Sequence, residues 1–122
     1  MAYLGALNAH DPDAVSALVT EDFFNEHIAA RGRSLRGRGE YRLRLEGFLA
    51  DMADLRYDVE ATVSEGSTVV VAYRMAARWK GTGDARPFSL RGVFWFEVRD
   101  DLVAHRIDYR DSADFERQVG LR

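Results

Sequence analysis

The spacing of apolar and polar residues divides the chain into a helical first part and a second part made of strands. Residues 3–9 have the pattern of a short helix. Asp11 and Pro12 predict the start of a second helix, because aspartate accepts free amide hydrogens and proline fits the first helical turn. We expect that helix to end near Thr20, before an extended aromatic segment over residues 23–28. A third helix is predicted from one apolar face, formed by Tyr41, Leu45, Phe48, Leu49 and Met52.

After the third helix the apolar residues alternate, which is typical of strands. The first long strand is predicted to place on one face Leu55, Tyr57, Val59, Ala61 and Val63. Further strands are predicted over residues 67–79, 88–99 and 102–110. A last short helix follows, capped by Ser112 and closed by Gly120.

Helices followed by a run of mainly antiparallel strands predict an α+β fold. We expect a single domain over residues 1–122, in which helices cover a curved sheet and a small-molecule pocket lies between them. The length of 122 residues and the apolar fraction of 47% fit one domain with a real core. The absence of cysteine excludes disulfides, thiolate chemistry and cysteine-based zinc sites.

Charge and hydropathy argue against nucleic-acid and membrane partners. The net charge of −3 gives no general attraction to nucleic acid. One segment contains six arginines: Arg31, Arg33, Arg36, Arg38, Arg42 and Arg44. Glutamates interrupt this run, so it predicts a solvated loop and an outer helix face. The apolar runs are far shorter than the roughly 20 residues of a membrane span, and no secretion signal is visible. We expect a soluble, cytoplasmic protein.

Bulky apolar residues are predicted on both faces of the sheet. The outer face is expected to carry Val93, Trp95, Val103, Ile107 and Tyr109. A patch of this kind predicts a two-fold homodimer formed through the outer face. The alternative is a set of scattered surface residues, which are common in soluble proteins.

Strand alternation also selects candidate pocket residues. If Phe94 points inward, its neighbours on the adjacent strands point the same way. The set that we expect to contact a substrate is Tyr73, Met75, Trp79, Phe94, Arg106 and Arg110, with Asp108 beside them. A buried charge costs several kcal/mol unless it is paired, so an acid and two arginines on an apolar face are expected to pair or to serve a ligand.

Two segments carry a family resemblance, the opening YLGALNAHD (residues 3–11) and the closing DYRD (residues 108–111). Together with the order of elements, they resemble the nuclear transport factor 2-like superfamily. Within it, the chain is similar to SnoaL-like polyketide cyclases, ketosteroid isomerases and limonene epoxide hydrolases. The resemblance covers nearly the whole chain and implies a cone-shaped, curved, mixed sheet of cystatin-like architecture, cupped by three N-terminal helices. It identifies the fold better than the reaction, because this fold hosts many activities.

The resemblance implies a role for a residue only where that residue matches a functional position of the family. Tyr3 matches a tyrosine that stabilises the oxyanion in ketosteroid isomerases, and His27 falls where those enzymes have a general-base aspartate. Phe94 falls where they have a second oxyanion donor. Trp79 replaces a pocket histidine of the cyclases, and Asp108 matches one aspartate of the epoxide hydrolases. The resemblance therefore implies a pocket of altered chemistry rather than a steroid isomerase site.

Two interpretations of His27 and Asp108 stay open. In the first, they form an acid–base pair in which the carboxylate holds one imidazole tautomer and raises the pKa of His27 above about 6.5. His27 then removes a proton next to a carbonyl while Tyr3 stabilises the enolate oxygen. In the second, Asp108 pairs with Arg106 or Arg110, and His27 is a satisfied strand histidine. A single inward histidine does not predict a metal site, and no cofactor is expected.

These residues predict a protein with a pocket for a small apolar molecule. The first candidate is a cofactor-free isomerase or cyclase, or a hydratase- or hydrolase-type lyase, acting on a carbonyl compound such as a polyketide or steroid. The second is a ligand-binding domain without turnover, and the third is a dimeric interaction domain.

Overall fold

The computed structural model describes residues 2–28, 33–81 and 83–121. In these ranges the chain forms four helices and six strands. The helices are α1 (Ala2–Asn8), α2 (Pro12–Ser16), α3 (Arg38–Asp51) and α4 (Ser112–Val119). The strands are β1 (Val19–His27), β2 (Leu35–Arg36), β3 (Met52–Glu65), β4 (Thr68–Trp79), β5 (Arg86–Arg99) and β6 (Leu102–Arg110). The short strand β2 has no alternating pattern long enough to predict it.

The helix ends follow the expected capping chemistry with two corrections. Asp11 caps α2 by accepting a hydrogen bond from the amide of Ala14, as predicted. The helix ends at Ser16 rather than near Thr20, because β1 already begins at Val19. Asp111 caps α4 in place of Ser112, since its carboxylate accepts two backbone amides of the first turn. Gly120 closes α4 in the left-handed conformation, with φ at 84°.

The strand order across the sheet is β2-β1-β6-β5-β4-β3. β1 runs parallel to β6, whereas the other neighbouring pairs are antiparallel. The sheet is therefore mixed. It is also curved and packs against helices, which confirms the predicted α+β fold class. The parallel pair matters for the site, because it places His27 directly beside Asp108.

A bulge in β6 overturns one predicted outer-face residue. Glu97 pairs with His105 and Val98 pairs with Val103, so Ala104 is an extra residue in the ladder. An extra residue reverses the alternation on one side of it. Val103 therefore faces the core, where it is only 4% exposed, and its predicted place on the outer face is wrong.

A second bulge corrects the face predicted for β3. Val59 pairs with Tyr73, but Ala61 pairs with Ala72, which leaves Glu60 as the extra residue. Beyond this bulge the side-chain pattern is reversed, and Val63 is 66% exposed. The prediction that one face runs unbroken through Val63 is therefore wrong.

The hydrophobic core lies between the helices and the inner face of the sheet. Its fully buried large members include Leu7, Val15, Phe23, Val71, Phe94 and Phe96. On the outer face Val93 pairs with Tyr109 and Trp95 pairs with Ile107, so these four side chains form one patch. Trp95 and Tyr109 are 40% and 41% exposed. None of the helices in the described ranges is both long and apolar enough to span a membrane.

Candidate active site

A cavity of about 220 Å³ lies between α1, α3 and the inner face of the sheet. Its lining comes from α1, α3 and strands β1, β3 and β6, together with the segment before β2. The residues that line it are Leu7, Asn25, His27, Arg33, Tyr41, Arg44, Leu45, Phe48, Tyr57, Arg106, Asp108 and Arg110. The structure therefore brings His27, Asp108, Arg106 and Arg110 to one cavity.

The Asp108 carboxylate is the electrostatic centre of this cavity. The side chain is buried, and its Oδ1 accepts a hydrogen bond of 2.7 Å from the hydroxyl of Tyr73. Its Oδ2 lies 3.8 Å from Nδ1 of His27 and 3.7 Å from Nε of Arg110. Two of the three partners proposed from the sequence, His27 and Arg110, thus lie near the same oxygen, at distances longer than a hydrogen bond.

The neighbouring Asn25 determines which nitrogen of His27 carries the proton. Asn25 is 2% exposed, and its Oδ1 accepts a hydrogen bond of 2.9 Å from Nε of Arg106. The Nδ2 donor of Asn25 consequently faces Nε2 of His27, at 3.4 Å. An N–H donor at Nε2 favours the tautomer in which Nε2 has the lone pair and Nδ1 carries the proton towards Asp108.

The electrostatic surroundings lower the pKa of His27 to about 4, so the predicted rise is wrong. Burial of the imidazole is the largest cause, and the positive charge of Arg106 is the next. Asp108 acts in the opposite direction, but Arg110 and Arg44 add to the lowering. Burial and three guanidinium groups together lower the pKa of His27 by more than the one carboxylate raises it. His27 is therefore neutral at pH 7.

This low pKa makes the stability of the fold depend on pH. The unfolded chain binds a proton at His27 near pH 6.5, whereas the folded chain does so only near pH 4. The stabilisation is therefore complete above pH 6.5 and is lost as the pH falls towards 4, by about 3 kcal/mol in total. Between about pH 7 and about pH 5, we expect wild type to lose about 2 kcal/mol more in urea unfolding than His27→Gln. Equal losses in the two proteins would contradict the low pKa.

Tyr3 lies behind the cavity wall rather than in it. It is 1% exposed, and its hydroxyl accepts a hydrogen bond of 2.9 Å from Nη1 of Arg106. The same hydroxyl is hydrogen-bonded to that of Tyr41, which lines the cavity. Burial raises the pKa of Tyr41 well above its usual value. The oxyanion role of Tyr3 stays a prediction, and its position favours orientation of Arg106 and Tyr41.

Three of the predicted substrate-binding residues form a buried layer beneath the charged groups. Tyr73 contacts Asp108, and the sulfur of Met75 lies 3.7 Å from Nη1 of Arg110. The ring of Phe94 lies 4.9 Å below the guanidinium of Arg106. All three residues of this layer are fully buried, so we infer that they position the charges.

Gly92 makes room for this arrangement. It pairs with Tyr73 on one side and Arg110 on the other. A Cβ at this position would collide with the hydroxyl of Tyr73. The absence of a side chain therefore allows the tyrosine to reach Asp108.

Trp79 lines a second cavity of about 140 Å³ beneath α4. The residues that line it are Phe48, Met52, Trp79, Phe88, Arg110, Ser112 and Phe115. Its aromatic rings meet edge to face, with the centroid of Phe115 at 5.3 Å from that of Trp79 and 4.9 Å from that of Phe88. Phe48 and Arg110 line both cavities, so the two are neighbours.

The arginine-rich segment is only partly the solvated surface that its pattern predicts. Arg33 and Arg44 line the first cavity, although both are exposed. Arg38 donates to a backbone oxygen of β1, and Arg36 lies over the ring of Phe24. Arg31 lies outside the described residues.

The other two histidines lie away from the cavity. Nε2 of His10 lies 2.7 Å from the backbone oxygen of Leu55, and Nε2 of His105 lies 2.9 Å from Glu26. Within residues 2–28, 33–81 and 83–121, no group of three or more His, Asp or Glu side chains is placed to hold a metal ion.

Asn25 and Tyr41 are two of the cavity residues that the sequence interpretation missed. Asn25 stands at i+2 from Phe23 and i−2 from His27, so alternation alone would have placed it on their face. Tyr41 was predicted only as part of the apolar face of α3. Nothing in the pattern indicated that its hydroxyl would meet that of Tyr3.

Comparison with known proteins places this geometry in a family. The sequence model of the SnoaL-like domain matches residues 1–106. A protein from Catenulispora acidiphila with a ketosteroid isomerase-like fold, solved with trimethylamine, is 19% identical with a TM-score of 0.87, covering 99% of this chain and 91% of its own. A putative SnoaL-like polyketide cyclase from Shewanella denitrificans is 17% identical with a TM-score of 0.88, at coverages of 99% and 93%.

A third similar structure is an LEH-like epoxide hydrolase from M. tuberculosis, 22% identical with a TM-score of 0.80, at coverages of 98% and 85%. Identities this low establish the fold and not the reaction. Comparison with curated protein sequences gives no match. The match of the family model over most of the chain and the shared fold agree, and the chain therefore belongs to the SnoaL-like domain family.

Proposed function

We propose that the chain is a cofactor-free isomerase or cyclase in which His27 is the general base. The observation that carries the proposal is the position of His27 in the cavity wall, with Nδ1 facing the buried carboxylate of Asp108 and Nε2 facing Asn25. A carboxylate on one side of an imidazole orients it so that the other nitrogen can accept a proton. The similarity to a putative polyketide cyclase supports this class of reaction.

The pKa of His27 restricts the substrates on which this base can act. A base with a pKa of about 4 is neutral at pH 7, but it is weak. Weak bases of this strength remove a proton from carbon when the resulting oxyanion is strongly stabilised. A C–H group between two carbonyls is acidic enough for such a base. The proposed substrate is therefore a 1,3-dicarbonyl compound, a unit found in polyketides.

The chemical step follows from the residues around the cavity. The contact of Asn25 Nδ2 with Nε2 of His27 is long, at 3.4 Å, and in the proposed step the substrate displaces it. Nε2 of His27 then takes the proton from the carbon between the two carbonyls, and the C–H electron pair moves into one carbonyl to form an enolate. The guanidinium of Arg106 and the hydroxyl of Tyr41 stabilise the enolate oxygen. The imidazolium of His27 is a strong acid because of its low pKa. It returns the proton to another carbon in an isomerisation, or to the alkoxide formed when the enolate attacks a second carbonyl in a cyclisation.

Hydrogen–deuterium exchange at the acidic carbon tests this function directly. The probes are ethyl acetoacetate, ethyl benzoylacetate and the para-carboxylate of the latter, followed by NMR in D₂O. We expect the protein to accelerate exchange with a rate that is level near neutral pH and falls as the pH approaches 4, because protonated His27 cannot act as a base. Exchange no faster than in protein-free buffer for all three probes would contradict the proposal.

A ligand-binding domain without turnover is the second candidate. The observation that favours it is that the polar groups of the cavity bind one another: Tyr73 binds Asp108, and Arg106 binds both Asn25 and Tyr3. This candidate predicts measurable affinity for ligands of the cavity with no acceleration of exchange. The deuterium-exchange experiment therefore distinguishes the two candidate functions, because only the enzyme accelerates exchange.

We also propose that two copies of the chain associate through the outer sheet face. The patch around Trp95 and Tyr109 is apolar and partly exposed. We expect wild type to be a dimer by light scattering after gel filtration, and Tyr109→Glu to be a monomer. Leu43→Glu is the matched control, because Leu43 is 66% exposed on the solvent side of α3. A monomeric wild type, or a dimeric Tyr109→Glu, would contradict this interface.

A further inference from the structure

We propose that the ligand of this site is an aromatic carboxylic acid, with its carboxylate at Arg110 and its ring in the aromatic cavity beneath α4. The inference rests on the proposed function only for the statement that such a ligand is a substrate. Binding itself follows from the two neighbouring cavities and the charges between them.

The first argument is the excess of positive charge. The larger cavity is lined by four arginines and a single carboxylate. His27 adds no charge, because it is neutral at pH 7. Arg106 is buried and donates to the uncharged groups of Asn25 and Tyr3, so these contacts leave its positive charge uncompensated. The four arginines therefore leave a net positive charge at the cavity, and the buried or mostly buried charges of Arg106 and Arg110 favour an anionic partner.

The second argument is the state of Arg110. A guanidinium has five N–H donors in a fork that fits a carboxylate bidentately. The polar contacts of Arg110 include the sulfur of Met75, at 3.7 Å from Nη1, and the carboxylate of Asp108, at 3.7 Å from Nε. Sulfur is a weak acceptor, and 3.7 Å is longer than a hydrogen bond. Arg110 therefore has donor capacity for a ligand oxygen, and its side chain is 22% exposed.

The third argument is the shape and lining of the second cavity. Its volume of about 140 Å³ is far larger than the roughly 15 Å³ that one water molecule needs. Phe88, Phe115 and Trp79 line it, and their rings pack edge to face with one another, so they present aromatic surface to a flat ring. A ring bound there would gain van der Waals contacts with these side chains, while Arg110 and Ser112 form the polar part of the lining.

The position of Arg110 connects the three arguments. Arg110 and Phe48 line both cavities, so a carboxylate bound at Arg110 stands at their boundary. From this point an aromatic ring extends beneath α4, and a second substituent extends towards His27. The sequence predicted an apolar ligand, and the structure assigns its apolar part to the second cavity while adding a negative charge.

Calorimetry with two probes of the same shape tests the inference. The probes are 2-naphthoate and its neutral counterpart 2-naphthalenemethanol. We expect wild type to bind the acid at least about tenfold more tightly than the alcohol, since hydrogen bonds to a charged group are stronger than those to a neutral one. Equal affinities in wild type would overturn the inference without any need for a variant.

Single substitutions test where the carboxylate and the aromatic ring of the ligand bind. Arg110→Gln is expected to remove the preference for the acid, and Phe115→Ala is expected to weaken both probes equally. Arg91→Gln is the control, because Arg91 is exposed and pairs with Glu60 away from both cavities. An unchanged preference in Arg110→Gln would overturn the assignment of Arg110, and full affinity in Phe115→Ala would overturn that of the ring.

The outcome is distinguishable from that of the proposed function. Tight binding of 2-naphthoate without deuterium exchange on any dicarbonyl probe supports the ligand class and contradicts the enzyme. Exchange on the neutral dicarbonyl esters without a preference for 2-naphthoate supports the enzyme and contradicts the ligand class.

Discussion

Replacement of His27 by alanine is expected to lower the rate of deuterium exchange on a 1,3-dicarbonyl probe by about 10²–10⁴-fold, the usual contribution of a general base. Its Nε2 is neutral at pH 7 and is directed by Asn25, so the substitution removes the atom that takes the proton. NMR in D₂O measures the loss. The fall in rate near pH 4 should disappear with it, because the group that titrates is gone.

Two controls make this result specific to the base role. His105→Ala removes a histidine that pairs with Glu26 outside the cavity, so it should keep the wild-type rate. The affinity of His27→Ala for 2-naphthoate should stay near that of wild type, which shows that the cavity is intact. A rate within about threefold of wild type in His27→Ala would rule out His27 as the base, given the range expected for such groups.

The orienting role of Asn25 gives a more graded effect. In Asn25→Leu, His27 loses the donor that faces Nε2, and Arg106 loses the acceptor at 2.9 Å. We expect the maximal exchange rate to fall more than the affinity for the probe, because tautomer and orientation matter in the reaction rather than in binding. An unchanged rate together with weaker binding would assign Asn25 to the ligand site instead.

The inward charged residues could be predicted from the sequence because alternation is a local property. In β6 the positions of Arg106, Asp108 and Arg110 follow from the outward neighbours Ile107 and Tyr109, and the structure has them as expected. The bulges could not be predicted in the same way. A single extra residue such as Ala104 has no signature in composition, and it becomes visible only when the partner strand is paired.

The meeting of His27 with Asp108 lies beyond local pattern. It depends on the parallel pairing of β1 with β6, two strands at opposite ends of the chain. The family resemblance pointed to His27 and Asp108 as separate positions, and neither it nor the periodicity predicted that pairing. The direction of the His27 pKa shift was missed for a related reason. The sequence identified the carboxylate of Asp108 as a neighbour, whereas burial and the opposing charges of Arg106 and Arg110 require the folded cavity.

The removal of Asp108 is expected to have the largest effect on stability. Its carboxylate accepts the hydroxyl of Tyr73 and lies close to Arg110, and it contributes to the electrostatic stabilisation of Arg106. Asp108→Ala leaves this hydroxyl without its acceptor and buries positive charge without its counter-charge. Loss of one member of a buried ion pair costs about 3–5 kcal/mol, and we expect a loss of this size in the free energy of unfolding.

Urea denaturation with an unchanged slope measures this loss, and Asp108→Asn separates its two parts. The amide keeps an oxygen for Tyr73 but removes the charge, so the variant isolates the electrostatic contribution and remains measurable if Asp108→Ala does not fold. Asp58→Ala is the control, because Asp58 is 52% exposed and its pair with Arg56 is screened by water, with an expected cost below about 1 kcal/mol. If Asp108→Asn were as stable as wild type, the charge of Asp108 would not be what balances the arginines.

Asp108 raises the pKa of His27, whereas burial lowers it. Asp108→Asn should therefore lower the pKa of His27 further, and the pH at which deuterium exchange declines should fall with it.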